Sequence, residues 1–210
     1  MTEAQPVKTQ GTLGIDLGIV ELATGSNGKS YSGEPTKTVR RRYKRSHGLL
    51  QKRGTKSAKR HLKQASKRQA NFTRNQNHCT SKKIVETATI ERKALALENL
   101  KGIRERTGFN REMRWQMGNW AFAQLQSFVA YKATRAGIPV VYVDAKNTSR
   151  TCFECGYCDK DNRKSQVQFH CLNCGCQANA DYNAALNIAA RAGCPLGGSI
   201  GLLRSAHNPS

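Results

Sequence analysis

Acidic residues are scarce in this sequence. Fourteen Asp and Glu stand against thirty-five Lys and Arg, a formal charge of +21 over 210 residues. Self-repulsion on that scale disfavours a compact chain by itself and points to a polyanionic partner. Nucleic acid is the expected one, because neutralising phosphates releases counterions and gives affinity without reading sequence. Charge alone does not separate a nucleic-acid enzyme from a ribosomal-type or chromatin-type binder. Long apolar runs are also missing; none approaches the roughly 18 residues that cross a bilayer. The first ten residues are polar and lack the apolar stretch of a secretory signal. No amphipathic face with Trp or Phe anchors accompanies the charge, so membrane-surface binding is not expected. A soluble, cytoplasmic protein follows as the expectation. Hydrophobic residues make up 38% of the chain, enough for a real core but not a large one. There is no internal repeat.

What is present is unevenly placed. Residues 37–93 hold nineteen basic residues and two acidic ones, Glu86 and Glu91. Around this block the pattern is that of a mixed α/β domain. Residues 12–18 (TLGIDLG) read as a buried strand, and 20–24 and 29–32 as two more joined by the turn GSNG, together an antiparallel meander. Residues 36–57 are basic and poor in apolar side chains. From Ala58 onward Leu62, Ala65, Gln69 and Phe72, then Ile84, Val85 and Ala88, recur at helical spacing. A long basic helix, or a helical hairpin, is expected to end near Thr89. Its polar face is too cationic for ordinary solvated surface, and Arg60, Lys63 and Arg68 are candidates for tracking a nucleic-acid backbone. Residues 94–97 (ALAL) form a short strand ending at Glu98. A helix over 115–136 carries Trp120, Leu125, Phe128 and Val129 near one face, as core and not as base-stacking platforms. Residues 140–143 (VVYV) make a strand closing at Asp144. The tail 191–210 is Gly-rich and is assigned no function.

Six of the eight cysteines crowd into residues 152–176. In a chain without a signal peptide, that clustering favours metal over disulfides. Cys152 and Cys155 form one CxxC pair, Cys171 and Cys174 a second, with fifteen residues between Cys155 and Cys171. Four thiolates so spaced can surround one zinc ion tetrahedrally at about 2.3 Å and leave no open position, so the metal is structural. A glycine follows each second cysteine and suits the tight knuckle turn, where φ > 0 is required. Cys158 and Cys176 lack that glycine and rank as bystanders or alternates. Cys79 and Cys194 read as small core residues.

Because acids are few, each one in an apolar setting stands out. Asp16 interrupts the strand LGIDLG, Glu98 ends ALAL, and Asp181 opens the helical stretch DYNAALNI. Singly they read as a turn former, a strand-end surface residue and an N-cap. Together, from strand ends and a helix start in so basic a chain, they form a metal triad. Such a set can hold two Mg²⁺ (or Mn²⁺) ions about 3.5–4 Å apart for phosphodiester hydrolysis. Lys146 and Arg150, just before the first CxxC pair, are candidates for holding substrate phosphate.

Five segments occur together and in order: GIDLG at 14–18, ENLKGI at 98–103, TSRTCFECG at 148–156, CLNCG at 171–175 and ADYNAALNIA at 180–189. They resemble the RuvC-I, RuvC-II, zinc-ribbon and RuvC-III segments of TnpB, the OrfB-type protein of insertion sequences, which is related to the type V CRISPR effectors. The likeness spans about residues 12–190. It implies an RNase H-like (RuvC) α/β fold with a mixed sheet, interrupted by a basic helical insertion at 37–90 and a zinc ribbon at 148–178. It implies RNA-guided, metal-dependent cutting of DNA, with Asp16, Glu98 and Asp181 as the catalytic acids and zinc on Cys152, Cys155, Cys171 and Cys174. In that family specificity comes from pairing with a guide RNA, while the protein reads backbone shape and a short flanking motif. Eleven residues precede the first strand, where the family carries a sizeable half that grips the guide. The expectation is therefore a truncated relic, a split-gene product, or a minimal protein acting with a separate chain that supplies that half. A binding protein without catalysis, using the same fold, is the rival reading. A strand-joining transposase is a weaker one, as no placed Tyr nucleophile is evident.

Overall fold

The computed structural model describes residues 7–18, 20–99, 122–165 and 167–193. Three strands open the chain, β1 (Thr12–Asp16), β2 (Glu21–Gly25) and β3 (Ser30–Ser32). Two helices follow, α1 (Glu34–Arg53) and α2 (Lys56–Ile90), then β4 (Ala94–Asn99), α3 (Phe122–Arg135) and β5 (Val140–Asp144). A short two-stranded sheet, β6 (Gln168–His170) and β7 (Gln177–Asn179), runs directly into α4 (Ala180–Ala192). The main sheet is mixed, in the order β3-β2-β1-β4-β5. The first three strands pair antiparallel; β1, β4 and β5 run parallel, with Ile15 opposite Leu97 and Leu97 opposite Tyr142.

The two-residue period of the strands decides which side each residue serves. Leu13 and Ile15 of β1 and Leu95 and Leu97 of β4 point to one face. There they pack with Ile84, Val85 and Ala88 of α2 and with Leu125, Val129 and Ala133 of α3. Each of these leucines and isoleucines is at most 1% exposed, contributing roughly 1.5–3 kcal/mol by burial. The alternate residues, Gly14, Asp16, Ala96 and Glu98, therefore face the opposite side, where Ile188 and Ala192 of α4 pack on Ala96 and Val143. The sheet is sandwiched between α2 with α3 on one face and α4 on the other.

The basic block forms a helical hairpin, and its first arm begins earlier than the apolar spacing suggested, at Glu34 instead of Ala58. Polar side chains fill the seam between its arms, with Thr36 and Arg40 buried and Tyr43 and His47 half-buried, so hydrophobic periodicity does not register this arm. Pro35 in the first turn and Glu34 at the positive helix end favour the start there. The arm stops at Gly54, and Thr55 caps α2 by accepting from the Ala58 amide at 3.1 Å. Cys79 is exposed on α2 and not part of the core. The helical period turns Asn77, Thr80, Ser81, Ile84 and Ala88 inward and leaves position 79 outside. Leu125 and Val129 are core, as expected, while Phe128 stacks on His78 with centroids 3.9 Å apart. Trp115 and Trp120, Cys194 and the tail beyond Gly193 lie outside the described residues. Among the described residues, no helix is long and apolar enough to cross a membrane.

Candidate metal centres

Three elements converge on the first centre. The parallel register that sets Ile15 against Leu97 brings Asp16 and Glu98, one residue further along, to the carboxyl ends of adjacent strands. That edge is where open α/β sheets place ligands. Asp181 comes from the first turn of α4. It is not the cap: Asn179 accepts from the Asp181 and Tyr182 amides at 3.0 and 3.1 Å, so the Asp181 carboxylate is free for other contacts. Gly14 lets α4 lie directly on β1. A Cβ there would stand 2.1 Å from the Ala185 carbonyl oxygen and 2.5 Å from the Ala189 nitrogen. Close helix–strand packing at this glycine is what carries Asp181 over Asp16.

The electrostatics are those of an acid cluster short of positive charge. Burial, then the Glu98 charge, then the Asp181 charge push the Asp16 carboxyl well above its ordinary range, with Arg163 opposing. Part of the Asp16 residue reaches solvent, yet dense surroundings make desolvation the main cause. Burial also raises Glu98 against the opposing effects of the Thr148 hydroxyl, Arg191 and Arg163. Burial raises Asp181 in spite of Arg163, whose Nη2 lies 3.1 Å from Asp181 Oδ1. A fourth acid, Glu21 at the start of β2, is raised by burial and by Asp181. Three desolvated carboxylates, two of which disfavour ionisation of the third, Asp16, are donors of the kind a hard divalent cation neutralises, and their chemistry fits such an ion.

Sequence reasoning missed Arg163 and Thr148. Arg163 sits between the two cysteine pairs, and nothing in its sequence setting marks it; the chain reversal there carries it to Asp181. Thr148 hydrogen-bonds the Glu98 carboxylate through its hydroxyl. Lys146 and Arg150 lie exposed on the same turn as Thr148, while the cations that bear on the carboxylates are Arg163 and Arg191. Arg60, Lys63 and Arg68 are exposed on the half of α2 that precedes its core-packed stretch, which sits on the sheet face opposite Asp16. They are not brought to the carboxylates.

The second centre is local. Cys152 and Cys171 are each 1% exposed, and Cys155 and Cys174 are exposed. Their four Sγ atoms lie within 4.8 Å of one another, the one such group of three or more metal-type ligands among the described residues. Sγ of Cys152 is 3.7 Å from that of Cys174, and Cys155 is 3.5 Å from Cys171. Tetrahedral zinc–thiolate bonds of about 2.3 Å require sulfurs about 3.8 Å apart, so the cluster fits zinc. The two knuckles repeat one pattern: the Gly156 amide bonds the Cys152 carbonyl at 2.9 Å, and the Gly175 amide bonds Cys171 at 3.0 Å. Both glycines have φ near +75°, as expected for these turns (+76° and +74°). Burial opposes ionisation of Cys155, but the Tyr157 amide, Asn173 and the neighbouring thiols outweigh it and bring Cys155 down to about 7. Cys152 is pushed far up by burial. Cys158 and Cys176 stay outside the four-sulfur group. Asn162, fully buried, ties the knuckles together. It donates to the carbonyls of Arg150 and Tyr157 at 3.0 and 3.2 Å and accepts from the Leu172 amide at 2.9 Å.

Two family models match this chain: one described as "Probable transposase" (OrfB_IS605) over residues 1–103, and the Cas12f1-like TNB domain over residues 122–188. A CRISPR-associated endodeoxyribonuclease, Cas12f2 of Micrarchaeota archaeon, is 33% identical over 203 residues, covering 87% of this chain and 37% of the relative. A TnpB-like protein of Methanocaldococcus jannaschii is 31% identical over 112 residues, covering 53% of this chain and 40% of its own. The cryo-EM structure of a CRISPR-Cas12f ternary complex superposes with a TM-score of 0.67 at 25% identity, over 89% of this chain and 40% of that one. The first half of the chain thus matches the OrfB_IS605 transposase model and the second half the Cas12f1-like TNB domain, and the chain shares its mixed α/β fold with the Cas12f complex. It spans less than half the length of the curated relatives it matches.

Proposed function

We propose that this chain carries a RuvC-like, metal-dependent DNA endonuclease domain over residues 12–190, RNase H-like in architecture, with the hairpin at 37–90 and the zinc ribbon at 148–178 as insertions. The observation that carries the reading is the meeting of Asp16, Glu98 and Asp181 at one sheet edge, in a chain of opposite overall charge. The strand order β3-β2-β1-β4-β5, with acids ending the parallel strands β1 and β4, supports the architecture. Asp16, Glu98 and Asp181 would hold two Mg²⁺ or Mn²⁺ ions. Bound there, such ions supply an activated water and neutralise charge at the phosphate. Arg163, beside Asp181, is placed to meet a phosphate oxygen, and Lys146 and Arg150 to hold the strand on either side of Thr148. Cys152, Cys155, Cys171 and Cys174 would bind zinc that holds structure only.

The cationic hairpin, with Arg60, Lys63 and Arg68, would track nucleic-acid backbone on the other side of the sheet. Guide RNA and DNA are the proposed partners. A separate chain that grips the guide is included among the proposed partners. The test is cleavage of labelled single-stranded DNA by the purified chain with Mg²⁺ or Mn²⁺, with EDTA, and with Asp181→Ala. Loss of metal-dependent cutting by on the order of a thousandfold in Asp181→Ala is expected. Salt-sensitive binding without any metal-dependent cutting would overturn the enzymatic reading in favour of a binding subunit.

A further inference from the structure

The two centres are joined by a hydrogen-bonded strip made of side chains that neither uses as a ligand. The turn 145–151 links β5 to the first knuckle and passes between Glu98 and α4. Thr148, 3% exposed, donates its hydroxyl to the Glu98 carboxylate, and its carbonyl accepts from Asn187 Nδ2 at 2.9 Å. The same amide gives a hydrogen to the Thr151 carbonyl at 2.7 Å, where Asn183 Nδ2 adds a second bond at 2.8 Å. One residue past Cys152, the Phe153 amide closes onto Asn183 Oδ1 at 3.1 Å. Asn183 and Asn187, 1% and 8% exposed, stand one turn apart on α4, the helix that carries Asp181 in its first turn. Asparagine is a poor choice inside a helix, because its amide competes for backbone groups. Here both amides are spent on carbonyls of another segment, a reason for two such residues in so short a helix.

We propose that Thr148, Asn183 and Asn187 are positioning residues. The asparagines hold the 148–153 backbone on α4, so that the first knuckle and the Thr148 hydroxyl arrive together, and Thr148 sets the orientation in which Glu98 presents its carboxylate. The proposal rests on the reading of Asp16, Glu98 and Asp181 as a cation site. Thr148 then links the ribbon turn to Glu98, with Asn187 acting on Glu98 only through Thr148.

The test is Mn²⁺ titration of the zinc-loaded chain, with free Mn²⁺ followed by electron paramagnetic resonance. Zinc content and melting are measured on the same samples. Thr148→Val is expected to weaken Mn²⁺ binding about tenfold, the scale of a lost partner to a metal ligand, with zinc retained. Thr148→Ser is expected to restore the affinity to near wild type. Asn187→Ala weakens it less, and the double variant Thr148→Val/Asn187→Ala is no weaker than Thr148→Val alone. Wild-type affinity in Thr148→Val, a serine variant as weak as valine, or additive losses in the double variant would each overturn the proposal. Should Thr148→Val fail to fold, Thr148→Ala removes the hydroxyl without adding bulk and carries the same comparison. If Asp16→Asn leaves wild-type Mn²⁺ binding unchanged, the carboxylate reading itself falls and takes this one with it. A defect confined to the Thr148 and Asn187 predictions leaves that reading standing.

Discussion

The four-cysteine ribbon and the carboxylate cluster are assembled in opposite ways. The four sulfurs come from two knuckles 16 to 22 residues apart, each closed by its own amide-to-carbonyl bond and its own glycine. Local turn geometry is nearly enough to build that site. The three carboxylates come from both ends of the chain and the middle. They meet only because β1 and β4 pair in one register and α4 lies on Gly14. A local site tolerates changes in the surrounding fold; a non-local one inherits every error in it.

That contrast breaks most visibly if zinc is removed. Structural zinc contributes about 10–16 kcal/mol to small metal-folded units, so Cys171→Ala should lose zinc and unfold the ribbon first. Hydrogen exchange is expected to rise at Phe169 and His170 long before Leu95 and Leu97. Simultaneous loss of protection in both places would make the ribbon inseparable from the sheet. Next in size is Gly14→Ala. The added methyl meets backbone of α4, which cannot move aside as a side chain would, so a cost of about 3 kcal/mol is expected. A chain of this size should melt roughly 6–12 °C lower. Zinc content should be untouched, and Mn²⁺ binding at the carboxylates weakened; a normal Tm would mean α4 does not press on β1.

A smaller effect concerns charge. Asp16 is raised well above the ordinary carboxylate range in the folded, metal-free chain. An acid raised in this way binds its proton more tightly folded than unfolded, so stability falls as pH climbs through its raised range and recovers as pH falls. In EDTA near neutral pH, Asp16→Asn should therefore melt higher than wild type. The advantage should shrink below about pH 5 and vanish by about pH 3, where the acid is protonated in both states. A variant less stable than wild type at neutral pH would show that Asp16 is not electrostatically strained. Smallest of all, Cys79→Ser on the exposed side of α2 should change stability by less than about 0.5 kcal/mol, measured by urea unfolding. A larger loss would return Cys79 to the core.

The pieces legible in the sequence are those that short-range chemistry dictates. The paired CxxC spacing with its trailing glycines, the acid closing each apolar strand, and the helical pattern from Ala58 to Thr89 all appear as they were read. The arm Glu34–Arg53 was hidden because its seam is polar, with Arg40 buried where a hydrophobic residue would have marked the face. Asp181 looked like a cap, a role that Asn179 fills two positions earlier. The asparagines of α4 were a usable signal, since two buried amides inside a helix call for partners outside it. Arg163 offered no signal at all.

By itself, then, the sequence determined the charge, the four thiolates and their local turns, and which acids sit at strand ends. Those follow from composition, periodicity and spacing, which depend on neighbours a few residues away. Tertiary structure alone decided that Asp16, Glu98 and Asp181 face one another, that Arg163 neutralises part of that cluster, and that Thr148 bridges the ribbon turn to Glu98. Each of those pairings depends on strand register and on a helix lying close against β1, and such distances are set by packing across the whole domain.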